Sequence, residues 1–230
     1  MMGGWGEFVA AFAAFLLSHT LPARPAMRRP LAAALGERGY LLAYSLVSLG
    51  MLAWLVAAAG RAPYLELWPY APWQAWVTNL LMPLVCLLVA FGIAAPNPLS
   101  FGGRAAGFDP QRPGIAGVAR HPLLLAIALW AVGHAVPNGN LAHLLLFGAF
   151  AGFAALGMQI IDRRKRRLLG EEAWTRLAAH SSGWPLSALL DGRWRPTGPP
   201  SALRLCASLL LWLLFLAAHP GAIGMSPLPY

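Results

Sequence analysis

A chain of 230 residues that is 58% hydrophobic and only 11% charged falls well below the roughly 25% charge of an ordinary soluble domain. That composition excludes a conventional soluble enzyme and points to an integral membrane protein. The formal net charge of +9 does not indicate nucleic acid as a partner, because the arginines sit in the gaps between apolar runs rather than on one basic face.

The first apolar run, residues 5–17, ends at Ser18-His19-Thr20. A secretory signal would carry a basic start and a small-residue cleavage site. Here the early charge is Glu7, and Arg24, Arg28 and Arg29 follow the run, so it reads as a retained transmembrane helix. A short polar loop, residues 36–40, leads into a second span over 40–59, with Tyr40 and Tyr44 placed for an interfacial belt. Residues 60–74 form a loop punctuated by Pro63, Trp68, Pro69, Pro72 and Trp73. The third span covers 75–95, with a kink expected at Pro83.

Pro96-Asn97-Pro98 stops that span. The breakers through Phe108-Asp109-Pro110 and Arg112-Pro113-Gly114 predict ordered turns rather than helix. The fourth span is expected over 119–136, with Pro122 in its first turn, where a missing N–H costs nothing. Pro137-Asn138-Gly139-Asn140 is a tight turn, so spans four and five form a helical hairpin. The fifth span, 141–161, ends at Asp162 and the basic run Arg163 to Arg167, which anchors topology and attracts anionic headgroups. Residues 168–201 read as a polar surface segment dotted with tryptophans, and 203–218 as the sixth span. Cys86 and Cys206 lie inside apolar runs and read as small core residues without a disulfide. The expectation is an all-α polytopic membrane bundle of about six transmembrane helices in one domain, residues 1–230.

Of the 17 Lys and Arg residues, all but Arg61 fall in the segments joining spans one and two, three and four, and five and six, or, for Arg204, at the start of the span that follows. The positive-inside rule then makes 22–38, 96–120 and 162–201 cytoplasmic and leaves both termini outside. The lipid bilayer is the expected partner, with a hydrophobic small molecule as a candidate ligand.

Ionisable groups at membrane depth default to functional hypotheses. His19 closes the first span; it is either a histidine bonded to a helix-end carbonyl or a metal or haem ligand. Arg120 and His121 sit at the mouth of span four, as a snorkelling pair or as an anion or cofactor-phosphate site on a helix N-terminus. His134 lies thirteen residues beyond His121, on the order of 20 Å along the axis and on another face, so the two cannot share one metal. The face of His134 also carries Ile127, Trp130 and Ala131, whose small side chain leaves room for a flat cofactor or a close helix. His143, His180 and His219 read as structural. Neither a Gly-rich phosphate loop nor a Cys-pair metal motif occurs.

Several pieces in order carry a resemblance: Ser18-His19 followed by Arg24 and Arg28, residues 36–40 leading into 44–49, Pro96-Asn97-Pro98-Leu99-Ser100, Phe108-Asp109-Pro110, Arg120-His121-Pro122, Gly133-His134-Ala135, Asn138-Gly139-Asn140 and Ile161-Asp162-Arg163-Arg164. Together they resemble the NnrU family of bacterial multi-pass inner-membrane proteins over residues 5–170, and more loosely over the surface segment 171–202 and the last helix, 203–219. The resemblance implies a link to denitrification and nitric-oxide metabolism. The family is similar in turn to 15-cis-zeta-carotene isomerase, a membrane enzyme with haem b. That similarity implies His19 and His134 as haem ligands, with Arg120 and His121 at the cofactor site. The isomerase carries a cysteine three residues before its last histidine, where this chain has Ala131.

Two axial ligands must sit at comparable depth. His19 falls at the arginine-rich end of its span and His134 at the other end of its own, so a shared haem needs a tilted or deeper first helix; helices tilt by about 20° on average. Otherwise His121 is the better-placed partner for His19. The Arg-His-Pro motif, with Glu171-Glu172 beyond it, also resembles membrane methyltransferases that use S-adenosylmethionine. A third expectation is a non-catalytic membrane factor aiding maturation of nitrogen-oxide enzymes.

Overall fold

The computed structural model describes residues 4–22 and 24–228. Among them every regular element is helical, and two isolated bridges, Glu66 with Asn140 and Pro96 with Arg104, are the extended pairings. The chain divides into two compact units, Met1–Pro69 with Gly139–Leu146, and Tyr70–Asn138 with Phe147–Tyr230.

In the first unit, α1 (Trp5–Thr20) and α2 (Pro25–Arg61) form an antiparallel pair. At one end Glu7 accepts from the Arg61 guanidinium at 2.5 Å, so the one arginine outside the basic segments has its own carboxylate. At the other end the Tyr44 hydroxyl donates to the His19 carbonyl at 3.1 Å and the Tyr40 hydroxyl to that of Pro22 at 3.0 Å. Phe8 and Ala11 on α1, and Leu55, Ala58 and Ala59 on α2, are buried. The polar loop expected at 36–40 narrows to one residue. Gly36, with φ of 71°, breaks the helix because only glycine enters that region without cost. The residues before it, 25–35, are helical rather than loop. Pro25 starts the turn, and the Ala-, Leu- and Arg-rich stretch behind it has high helix propensity.

The second unit is built on α3 (Pro72–Gly92), α5 (Pro122–Ala135), the part of α6 (Leu141–Leu169) from Phe147 onward, and α9 (Ala202–Ile223). Short helices α4 (Ile115–Val118), α7 (Glu171–Ala178) and α8 (Ser187–Leu190) complete it. Helices α3 and α5 run antiparallel. The Thr78 hydroxyl donates to the Gly133 carbonyl at 2.7 Å, and at the far end Gly92 lies against Pro122 and Leu123. Val85, Leu88, Ala119 and Ala126 form the apolar core beside them. Arg204, in the first turn of α9, donates to the last carbonyls of α3, Ala90 and Phe91, at 2.9 and 2.7 Å. Those carbonyls lack intrahelical partners, and a cation suits a helix C-terminus. Helices α5 and α6 also pack antiparallel, Trp130 meeting Phe147 and Phe150 edge-on while Gly157 faces Leu124.

The all-α membrane architecture is as expected. Among the described residues four helices, α2, α3, α6 and α9, are long and apolar enough to cross a bilayer. The other two expected spans are short: α1 has 16 residues and α5 has 14, against the ~20 that cross a typical hydrocarbon core. The start of the fourth span is interrupted. Ala119 and His121 are non-helical between α4 and α5; for His121 the cause is Pro122, which pushes the residue before it out of the helical region. The fifth span does not stop at Ile161. Its helix continues through the basic run to Leu169, because a row of cations ends a membrane crossing without ending the helix. Cys206 is exposed rather than core, and Cys86 is buried, both as free thiols. On α9 only Ser208 is buried; one face of the helix packs on α3 and the rest of its surface is left for lipid.

Candidate functional site

The polar residues of the second unit converge on one carboxylate. Asp162, on α6, accepts from Arg120 Nη1 at 2.6 Å through one oxygen and from His121 Nε2 at 2.8 Å through the other. The His121 side chain is 1% exposed, Arg120 13% and Asp162 28%. His121 Nδ1 meets the Ser100 hydroxyl at 3.0 Å. Because a carboxylate only accepts, Nε2 carries a proton toward Asp162, and in the neutral ring Nδ1 accepts from Ser100.

The local chain path sets this up. Pro122 opens α5 with His121 as its N-cap residue, which turns both Arg120 and His121 away from the apolar helix. The segment around Arg120 is held by backbone exchange with the stretch after α7. Arg120 N–H donates to the Ser182 carbonyl at 2.8 Å, and Ser182 N–H to that of Ala116 at 2.9 Å. The Ser182 hydroxyl bridges the Gly117 carbonyl and the Ala188 amide. Asn97 closes the other side, its Nδ2 donating to the Arg120 carbonyl at 2.8 Å while its Oδ1 receives the Leu99 amide. Arg120 Nε donates to the Ser181 hydroxyl at 2.9 Å, and its guanidinium lies 5.2 Å from the centroid of the buried Trp174 ring. Arg166 covers the same ring at 5.8 Å.

Of the residues expected at a site, the structure brings Arg120 and His121 together. The anion they hold in this structure is the protein's own Asp162. Both imidazole nitrogens of His121 are engaged within the protein. His134 stands apart at the far end of α5, half-buried, with Nδ1 against the Trp130 carbonyl at 2.8 Å and its ring beside Trp130 and Phe147. In the first unit His19 repeats that arrangement, with Nδ1 on the Phe15 carbonyl at 2.8 Å and its ring against Phe15 and Tyr44. A carbonyl accepts only, so in both residues Nδ1 carries a proton, and in the neutral ring Nε2 then keeps the lone pair. Ala131, one turn before His134, is fully buried.

Glu171 and Glu172 face solvent, paired with Arg166 and Arg176, and neither forms an ion pair with Arg120 or His121. His143 bonds Asn140 and His219 bonds the Met225 carbonyl, as structural histidines do. Among the described residues no cluster of three His, Cys, Asp or Glu could hold a metal ion. Sequence reasoning missed Asp162, Ser100, Asn97 and Ser181 as members of the network. Asp162 carried one signal: it is the sole acid between Asp109 and Glu171, placed where an apolar span ends.

Apolar spans closed at one end by a buried Arg–His–Asp network define a multi-pass membrane protein of all-α class. The chain belongs to the NnrU family, matching the family described as NnrU protein over residues 7–227. No curated protein and no solved structure gives a significant match.

Proposed function

We propose that this NnrU-family protein binds haem b, that His134 and His19, each through Nε2, are the residues that would hold its iron, and that it serves denitrification or nitric-oxide metabolism. The observation supporting this reading is the shared geometry of the two histidines. Each spends Nδ1–H on the carbonyl one turn back, at 2.8 Å in both cases. An iron-ligating histidine commonly donates its other nitrogen in that way, which fixes the tautomer and raises the basicity of Nε2. The rings of Trp130 and Phe147 beside His134 give a flat apolar group a wall to lie against. When bound, the haem would supply a redox-active iron centre, open to a small diatomic ligand such as nitric oxide once one histidine is displaced. Arg120 and His121 act one step removed: through Asp162 they lock the start of α5 to α6 and so position the helix that carries His134. Ala131 offers no thiol, so the reading is haem binding without a cysteine ligand switch.

The test is to express wild type, His19→Ala, His121→Ala and His134→Ala with ample haem supply and compare haem content and absorption spectra. The expectation is a Soret band with a bis-histidine signature in wild type, lost in His134→Ala and His19→Ala and retained in His121→Ala. A bis-histidine spectrum fully retained in His134→Ala refutes the ligand assignment. A haem-free wild type refutes the reading, and if that protein binds S-adenosylmethionine by calorimetry the methyltransferase class takes its place.

A further inference from the structure

We infer that the first part of α2, residues 25–35, is an interfacial helix that lies on a bilayer surface and binds anionic lipid headgroups. Three observations converge on it. The first is direction. In a straight helix residues 28 and 40 would stand about 18 Å apart along the axis. Instead Arg28 pairs with Glu37 and its guanidinium sits 5.5 Å from the centroid of the Tyr40 ring. The chain therefore turns sharply at Gly36, whose φ is 71°, and residues 25–35 leave the axis of the span that follows.

The second observation is that this helix is exposed among the described residues. Met27, Leu31 and Leu35 are 43%, 37% and 53% exposed, and of residues 25–35 only Ala32 is even half-buried. At about 100° per residue those three side chains share an arc of about 80°, with Arg29 and Ala33 on the opposite side. The third is charge. Arg28 is matched by Glu37, whereas Arg24, Arg29 and Arg38 are exposed and form no ion pair among the described residues. The apolar α2 span begins directly beyond them, at the Tyr40–Tyr44 pair, which pins the helix to the edge of the hydrocarbon. An apolar stripe, unmatched cations and a position at that edge fit an anionic headgroup layer, in which the stripe enters the acyl boundary and the guanidiniums meet phosphate.

The experiment uses full-length Cys206→Ser protein, Cys86 being buried, with a nitroxide at Leu31→Cys or at Ala33→Cys. Each is placed in nanodiscs of phosphatidylcholine with or without phosphatidylglycerol. With phosphatidylglycerol, the Leu31 label should be open to oxygen and shielded from an aqueous nickel reagent, and the Ala33 label the reverse. Omitting phosphatidylglycerol should lower the inserted-to-detached ratio. Arg29→Gln/Arg38→Gln should lower it by about fivefold per charge, about 30-fold for the pair. Equal nickel access at both positions in phosphatidylglycerol discs overturns the inference. So does a Leu31 profile unchanged both by lipid composition and by the double substitution.

Discussion

Replacing Asp162 by alanine removes the one carboxylate that Arg120 and His121 share. Arg120 would keep its bond to Ser181 and its contact with Trp174 but lose its counter-charge, with only 13% of its side chain exposed. Breaking a buried pair by deleting one partner costs about 3–5 kcal/mol. Asp162 is 28% exposed, so water reaches the vacated site and the cost should fall near the low end, ~3 kcal/mol, including the bond lost by His121. Asp162→Asn keeps the shape and one accepting oxygen and should cost about half as much. The assay is the unfolding free energy of the purified protein, from reversible titration with sodium dodecyl sulfate in mixed micelles followed by circular dichroism. A double-mutant cycle with Arg120→Ala isolates the pair, and a coupling of at least about 1.5 kcal/mol is expected. A single Asp162→Ala variant within about 0.5 kcal/mol of wild type, the range of ordinary surface changes, would refute the view that this network ties α5 to α6.

Gly117 lies face-on to the Trp194 indole, where an added Cβ would overlap the ring, so Gly117→Ala should destabilise by about 1–3 kcal/mol, read as a lowered unfolding midpoint; an unchanged midpoint would show that Trp194 moves freely. Asp109, in the loop before α4, is held below the usual carboxylate range by the Gln111 N–H and then by the Arg112 guanidinium. A depressed folded value stabilises the loop above the unfolded value of about 3.9 and ceases to do so as pH falls through the folded value. Exchange at the Gln111 amide, corrected for its intrinsic rate, should therefore rise at acidic pH in wild type and show no such step in Asp109→Asn. A topology reporter fused at Pro69 should read outside, and reporters within 96–120 and 162–201 inside; a cytoplasmic Pro69 reporter would overturn the assignment drawn from the arginines.

The apolar runs were legible in the residues alone, because a helix in lipid must satisfy its own backbone and present apolar side chains nearly all round. Pro122 could likewise be placed at the start of α5, since proline costs nothing in a first turn. What lay beyond reach were events that depend on distant partners. Asp162 looks like the polar end of a span until folding brings it to Arg120 and His121, more than forty residues away in sequence. Ser100, Asn97 and Ser181 carry no local signal, because each acts by filling a hydrogen-bonding position created by another segment. The same network adds what the Arg-His-Pro motif alone does not carry: both imidazole nitrogens of His121 find partners inside the protein. The bend at Gly36 was hidden too. Glycine permits the turn, but only the Arg28 contacts with Glu37 and Tyr40 show which way the chain goes. Composition and spacing determine which segments enter the membrane, since transfer to lipid is a property of each segment; tertiary structure decides which polar groups pair, since pairing belongs to two segments at once.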